Sequence, residues 1–346
     1  MKFKFRFLNM LMCFLITVSF VLPKAVNANE VNSQFDKEYT SNFMDVKDKN
    51  IVKSVELYSN TNLSVATYLE FSPTGYMIID NTSGLPIEFS ENKIVSFIST
   101  AVERVYYGGP LEYYIKDSTG YNDEFGNKCD IQTFKSKYTI NLKEYFSNNS
   151  ANKSHSLNSI YSDLYIPGYS LMPNYKYNPN GICGSTAAAM LIMYHDKYTN
   201  DYYVPSYLES SNGISLIEYL VPFIDGVVPG STISDAVNGI NGYLNDQAFI
   251  GTAYWNPEYS LTKGAATILL SKKSQFGGVH WVTAYGIRQY YNINPAMIIS
   301  KTDTYTQVNN VPTYSTVIVI DGWGSKGVFI DRQYILGAVY MKWKNG

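Results

Sequence analysis

The sequence predicts an α+β fold, in which one long buried helix and a set of β-strands occupy separate stretches of the chain. The helix is predicted from Cys183 onward, because the residues that follow are small or apolar on every side. Strands are predicted at 279–286 and 316–320, where β-branched and aromatic residues follow one another. The first half of the chain is predicted to be strand-rich as well. Its β-like stretches are 63–71, 75–80, 87–89 and 93–97.

The chain of 346 residues has room for two domains behind a signal peptide. Residues 1–28 are predicted to be a signal peptide: residues 1–6 carry three positive charges, an apolar run follows from Phe7 to Leu22, and small residues that a signal peptidase reads lead up to the cleavage expected after Ala28. Residues 29–146 are predicted to form the strand-rich module, as a propeptide or an accessory domain. An exposed Ser/Asn-rich linker is predicted at 147–160 and a second domain at 161–346. We therefore expect Gram-positive-like export and a secreted or extracellular protein. Association of the exported protein with the cell surface is the alternative.

Composition excludes several classes of function. Hydrophobic residues make up 45% of the chain and charged residues 16%, which is typical of a packed globular protein. A formal net charge of −2 gives no electrostatic reason to bind nucleic acid or anionic lipid. After removal of the signal peptide we expect no membrane contact, and we expect a monomer.

Cysteine and histidine usage gives no reason to expect a metal or cofactor. Without the signal peptide the cysteines are Cys129 and Cys183, and a disulfide between them is an alternative to a free thiol. The three histidines are His155, His195 and His280, which are far apart in the sequence and match no ligand pattern. We therefore predict no metal site and no cofactor.

Cys183 is the candidate nucleophile. It is predicted to lie in the first turn of the helix, where unpaired N–H groups and the positive end of the helix dipole favour a thiolate. Gly184 next to it is predicted to leave room for a substrate backbone. A buried and inert cysteine is the alternative, because free cysteines usually pack as small hydrophobic residues.

His280 is the candidate base. Two glycines precede it, and alternation along the strand places His280, Val282 and Ala284 on one face, which we expect to meet the cysteine helix. A histidine packed in the core is the alternative. His195 is excluded as the base, because twelve helical residues separate it from Cys183 by about 18 Å.

Asp321 is the candidate third member of the site. It ends the strand at 316–320, where its carboxylate is predicted to accept a hydrogen bond from Nδ1–H of His280. Stabilisation of the following Gly-Trp-Gly turn is the alternative role. Asn178 and Asn180 are candidate donors to an oxyanion, although capping of the helix is the role we expect of Asn180.

These motifs, in the order Cys183, His280, Asp321, resemble the papain-like cysteine peptidases. The helix motif Cys-Gly-Ser-Thr-Ala-Ala-Ala-Met is similar to that of the bacteriocin leader peptidase-like (double-glycine peptidase-like) group, and the Met-Tyr-His ending is similar to that of streptopain. The resemblance implies a papain-like domain in which the cysteine helix packs on an antiparallel sheet. Its strands are expected near 280–287, 317–321, 327–330 and 337–343. Papain has Gln where Tyr177 stands and Asn where Asp321 stands.

The resemblance implies a secreted peptidase that hydrolyses peptide bonds through a Cys-His-Asp triad. A strand-rich propeptide precedes the catalytic domain in streptopain-like enzymes, so we expect a latent precursor whose partner is a protein or peptide substrate. Four residues next to the triad are expected to line the cleft: Gly184, Gly278, Trp281 and Trp323. A catalytically idle surface-binding protein on the same fold and a cell-wall peptide hydrolase are the alternatives.

Overall fold

The structure is a computed structural model, and it describes residues 35, 37–126, 128–129, 160–199, 202–226, 230–245, 248–253, 258–273, 278–291 and 314–343. The predicted signal peptide and residues 147–159 of the predicted linker, including His155, lie outside the described residues. So do the side chains of Cys129 and Asn180.

The chain forms a mixed, strand-rich fold of helices and strands. The described strands are β1 (Asn50–Tyr58), β2 (Ser64–Ser72), β3 (Tyr76–Asp80), β4 (Pro86–Ser90), β5 (Val105–Gly109), β6 (Glu112–Asp117), β7 (Gly120–Asp123), β8 (Lys128–Cys129), β9 (Ile160–Tyr165), β10 (Ala248–Ala253), β11 (Thr267–Lys273), β12 (Gly278–Tyr291), β13 (Tyr314–Ile320), β14 (Lys326–Asp331) and β15 (Ile335–Trp343). The described α-helices are α1 (Lys37–Thr40), α2 (Ser96–Thr100), α3 (Cys183–Tyr198), α4 (Ile214–Ile224), α5 (Ile233–Leu244) and α6 (Tyr259–Thr262).

The strands join into one large sheet. Their order is β10-β15-β11-β12-β13-β14-β4-β3-β2-β1-β5-β6-β7-β8, and β9 pairs with β12 beyond the end of β11. Strands β12 to β15 occupy the four stretches expected for the sheet, although β15 pairs with β10 and β11 and not with β14.

The cysteine helix α3 lies on this sheet. It is buried from Cys183 to Asp196, because its run of alanine, leucine, isoleucine and methionine presents no polar face to water. It contacts β11 and β12 on the sheet and the helices α4 and α5. On β12, the hydroxyl of Thr283 donates to the carbonyl of Ala187 at 3.2 Å, which fixes the helix on the strand.

The two halves of the chain share the sheet and its core. Strand β4 pairs with β14, and Phe89 stacks on Phe329 across this junction with ring centroids 4.6 Å apart. The largest cluster of buried apolar residues contains side chains from both halves. The predicted first module is therefore joined to the predicted second domain by backbone hydrogen bonds.

A buried arginine reinforces the junction. Arg288 on β12 is 4% exposed and binds Asp163 of β9 through Nε at 2.6 Å and Nη2 at 2.8 Å. Its Nη1 atom binds Glu91 at 2.7 Å and the carbonyl of Phe43 at 3.2 Å, both in the first half. One side chain therefore bridges the two halves with an ion pair on each side.

One predicted strand is wrong. The stretch 93–97 leads into α2, which begins at Ser96. The amide of Val95 donates to the hydroxyl of Tyr68 at 3.3 Å, and Ile98 is fully buried. The amide of Val95 thus bonds a side chain of β2 and not the backbone of a neighbouring strand, despite the β-branched residues of this stretch.

Candidate functional site

Cys183 is the first residue of α3, as the sequence predicts. A short 3-10 turn at Pro179–Gly181 delivers the chain to the helix, and Gly181 has a φ of 78°, which glycine adopts without strain. The N-cap residue is Ile182, whose apolar side chain makes no capping hydrogen bond. Asn180 lies two residues before the N-cap, and the capping role expected of its side chain lies outside the described residues. Cys183 is not part of a disulfide, and the residue is 6% exposed.

Gly184 does not line an open cleft. A Cβ atom there would lie 2.1 Å from Oγ of Ser231 and 2.9 Å from Oδ1 of Asp225. Both of these side chains come from the segment that connects α4 and α5. Glycine is needed at this position for close packing against that segment, and not for the approach of a substrate as predicted.

His280 lies near the start of β12, two residues after Gly278, and is 3% exposed. The neighbouring side chains on the strand show which face meets the helices. Nε1 of Trp281 donates to the carbonyl of Ser231 at 3.0 Å, and Thr283 bonds α3. By alternation the opposite face carries Val282 and Ala284, so the predicted face of the strand is wrong for these two residues, whereas His280, near the strand start, contacts the 321–325 turn. Trp281 is 1% exposed, which makes it a core residue and corrects its predicted place in a cleft.

His280 binds the backbone of residue 321. Its Nε2 atom lies 3.1 Å from the carbonyl oxygen of Asp321. Because a carbonyl oxygen only accepts, Nε2 carries the hydrogen in this contact, and in the neutral ring Nδ1 then holds the lone pair. The predicted bond from Nδ1–H to the carboxylate is thus replaced by one from Nε2–H to the carbonyl.

The carboxylate of Asp321 stabilises the turn that follows β13. Its Oδ1 atom accepts hydrogen bonds from the amides of Trp323 at 2.8 Å and Ser325 at 2.7 Å. Burial raises the pKa of Asp321, and these hydrogen bonds oppose the shift. Gly322 and Gly324 have φ angles of 83° and 99°, which explains the Gly-Trp-Gly sequence of the turn. Of the two roles left open by the sequence, stabilisation of the turn is the one observed.

The turn reaches both His280 and the start of α3. Trp323 stacks on the imidazole of His280, with ring centroids 4.2 Å apart and planes 5° apart. A Cβ atom at Gly322 would lie 3.4 Å from Cγ2 of Thr186, one helical turn after Cys183, and 4.0 Å from Nδ2 of Asn178. The helix start, the 321–325 turn and the imidazole therefore meet at one junction.

Asn178 brings an amide to this junction. Both polar atoms of its side chain are buried and have no hydrogen-bond partner among the described residues. An unpaired buried amide is costly, so its place beside the turn calls for a ligand or a reacting group. The preceding residue, Tyr177, points elsewhere, because its hydroxyl donates to Glu218 of α4 at 2.8 Å. The burial of Asn178 is not visible in the sequence, which gives Asn178 and Asn180 equal weight.

Within the described part of the chain, no group of three or more His, Cys, Asp or Glu residues is arranged to hold a metal ion. The helices described there include none with the length and apolar character of a membrane span. His195 is buried on α3, and burial lowers its pKa to about 4, so it is a neutral core residue near the far end of the helix from Cys183.

Comparisons with known proteins find no match in sequence and a distant similarity in structure. No protein-family profile and no curated protein matches the chain. Among solved structures, a fragment of prointerpain A from Prevotella intermedia, a cysteine peptidase precursor, superposes with a TM-score of 0.39 at 12% identity. The match covers 84% of this chain and 98% of that one. Similarity at this level is too distant to assign a function.

Proposed function

We propose that the chain is a cysteine peptidase in which Cys183 is the nucleophile and His280 is the general base and then the general acid. The observation that carries the proposal is the junction of three groups. Gly322 lies beside Thr186, in the first turn of the cysteine helix, and beside the buried amide of Asn178, and the carbonyl of the preceding residue, Asp321, holds the imidazole of His280. A thiol, a base and an oxyanion donor are the parts that acyl transfer requires.

The proposed chemistry uses the tautomer of His280 that its contact with the carbonyl of Asp321 requires. His280 holds its Nε2–H on the carbonyl of Asp321, so Nδ1 accepts the proton of the Cys183 thiol. The sulfur then attacks the peptide carbonyl, and the charge that develops on its oxygen is met by the amide of Asn178. The imidazolium gives its proton to the leaving amine. Water, deprotonated by Nδ1, hydrolyses the acyl-enzyme, which releases the acid and restores the thiol.

Asp321 serves as a positioning residue in this proposal. Its carbonyl holds the imidazole and stabilises the imidazolium, while its carboxylate fixes the turn that carries the carbonyl. The triad of the proposal therefore uses the backbone of Asp321 where the sequence predicts its side chain. The packing of α3 on an antiparallel sheet supports a papain-like catalytic domain.

We also propose an exported, monomeric protein that is made as a latent precursor. Both reacting residues are nearly closed to solvent, since Cys183 is 6% and His280 3% exposed. The first half of the chain contributes to this closure on the His280 side. Phe125, from the turn after β7, packs on Trp323 with ring centroids 5.4 Å apart, and Trp323 covers the imidazole. The first half therefore has the position that a propeptide needs.

Hydrolysis of casein by purified Cys183→Ala and wild-type protein tests the assignment. Wild type, after processing between the two halves, is expected to digest casein, and Cys183→Ala is expected to lose that activity. Cys129→Ala is the matched control, because it removes the other cysteine of the exported chain. Equal digestion by Cys183→Ala and wild type would rule out Cys183 as the nucleophile and would favour a non-catalytic binding protein.

A further inference from the structure

Asp225, at the end of α4, reaches the first turn of the cysteine helix. It is 5% exposed, and its Oδ2 atom accepts from the backbone amide of Ser185 at 2.8 Å and from the hydroxyl of Ser185. Ser185 is the third residue of α3, and amides at this position have no partner within the helix. Ile182, the N-cap residue, has no side-chain acceptor for it. Asp225 therefore caps the helix from a different element.

The charge of this carboxylate is not balanced by a cation in the described part of the chain, where no ion pair includes it. Its Oδ1 atom is buried without a hydrogen-bond partner among the described residues. That atom lies 2.9 Å from the Cβ position of Gly184, the residue after Cys183. The negative charge of Asp225 is stabilised by the positive end of the α3 dipole. It is destabilised by the negative, C-terminal end of the α4 dipole.

We propose that Asp225 is a positioning residue for Cys183, which fixes the first turn of α3 and keeps the sulfur protonated until His280 takes the proton. The proposal rests on the assignment of Cys183 as the nucleophile. Two anions at one helix start compete for the same dipole and repel each other, so the carboxylate disfavours a thiolate.

Other titratable groups lie around this junction. Around the 321–325 turn they are His280, Asp321, Lys93 and Lys176, and on the side of α5 the first turn carries Asp235. Asp235 is engaged in the capping box of α5 with Thr232 and is solvent-exposed. Asp225 differs from this group in being buried and in bonding α3 directly.

The pH dependence of alkylation by iodoacetamide tests the proposal. Asp225→Asn keeps an oxygen acceptor for the amide of Ser185 and removes the charge. Its alkylation midpoint is expected to fall by about one pH unit relative to wild type, because the negative charge that bonds the first turn of α3 is removed. Asp235→Asn and Ser185→Ala are the matched controls, and both are expected to keep the wild-type midpoint. An unchanged or higher midpoint in Asp225→Asn would overturn the proposal.

Circular dichroism establishes that each variant is folded. If Asp225→Asn does not fold, His280→Ala carries the test in its place, because it removes the base and leaves Asp225 bonded to the first turn of α3. Its midpoint is expected at or above about 8.5, the value of an ordinary cysteine, and a lower midpoint would overturn the proposal. Alkylation is measured without substrate. The two proposals can therefore fail separately. Equal casein digestion by Cys183→Ala and wild type would contradict the peptidase assignment, and an unchanged alkylation midpoint in Asp225→Asn would contradict this inference.

Discussion

The indole of Trp323 lies parallel to the imidazole of His280, with 4.2 Å between the ring centroids. With Nε2 held by the carbonyl of Asp321, this contact fixes the ring plane as well as one of its atoms. The two contacts together fix the orientation of the imidazole.

We predict that Trp323→Ala lowers kcat/KM for casein-derived peptides by about tenfold, because an aromatic pair contributes about 0.5–1.5 kcal/mol beyond its burial. The loss should appear in kcat and should shift the pH profile, since the orientation of the base changes. Trp323→Phe is expected to recover most of the activity. A loss of equal size in both variants, with an unchanged pH profile, would contradict a positioning role.

The buried amide of Asn178 gives a second prediction. Asn178→Ala should lower kcat by about 10²–10³ with little change in KM, as expected for an oxyanion donor that acts in the transition state. Asn212→Ala is the control, since Asn212 is exposed in the loop before α4. A change confined to KM would show that Asn178 contacts the substrate but not the oxyanion.

The sequence predicted the positions of the helix and strand that carry this site better than the hydrogen bonds between their atoms. The start of α3 and strand β12 follow from local residue patterns, and both were placed within a few residues. Which oxygen of Asp321 meets His280 does not follow from any pattern, because both belong to one residue. The face of β12 was misassigned because small apolar residues and large ones are equally able to pack against a helix. Here Trp281 and Thr283 do so.

The Arg288 network was missed for a different reason. Its acidic partners, Glu91 and Asp163, are far away in the sequence, and their pairing depends on the junction of β4 with β14. An arginine inside a strand-like run was the signal available, and it indicates a buried ion pair without naming the partner.

We predict that Arg288→Met lowers the free energy of unfolding by about 3–5 kcal/mol, because it leaves Glu91 and Asp163 without a counter-charge. Urea unfolding followed by circular dichroism measures the change. Arg104→Met is the control, since Arg104 is exposed and stacks on Tyr58, and a change below about 1 kcal/mol is expected. Similar effects in the two variants would mean that the Arg288 ion pairs do not stabilise the junction.

His195 gives a pH-dependent prediction. Burial lowers its pKa from 6.5 to about 4. Between these two pH values His195 is protonated in the unfolded chain and neutral in the folded chain. The stability that His195 contributes is present above pH 6.5 and is lost as the pH falls towards 4. Wild type should therefore lose about 2–3 kcal/mol relative to His195→Gln between pH 7.5 and pH 4.

Urea unfolding of both proteins at each pH measures this difference. The comparison between variants is needed because burial raises the pKa of Glu88 and Asp331 to about 7. These two carboxyl groups therefore lower the free energy of unfolding as the pH rises, whereas His195 lowers it as the pH falls. Those groups are unchanged in His195→Gln, so their contribution cancels. A difference that does not vary with pH would show that His195 is not the titrating group.

The junction between the halves bears on the release of the proposed propeptide. A cut between residues 147 and 159 would leave β4 paired with β14, Glu91 bound to Arg288, and the hydroxyl of Tyr314 bound to the carbonyl of Pro86 at 2.7 Å. We therefore predict that the two fragments stay associated after the cut and that activity on casein rises only when they separate.

Size-exclusion chromatography after limited proteolysis of Cys183→Ala, which cannot process itself under the proposal, tests this expectation. The fragments should elute together at low salt. Glu91→Gln in the same background should weaken the complex, because it removes one ion pair from the interface, and Glu56→Gln, at an exposed position on β1, should not. Separation of the fragments immediately after the cut, with Glu91 intact, would show that the linker and not the interface holds the halves together.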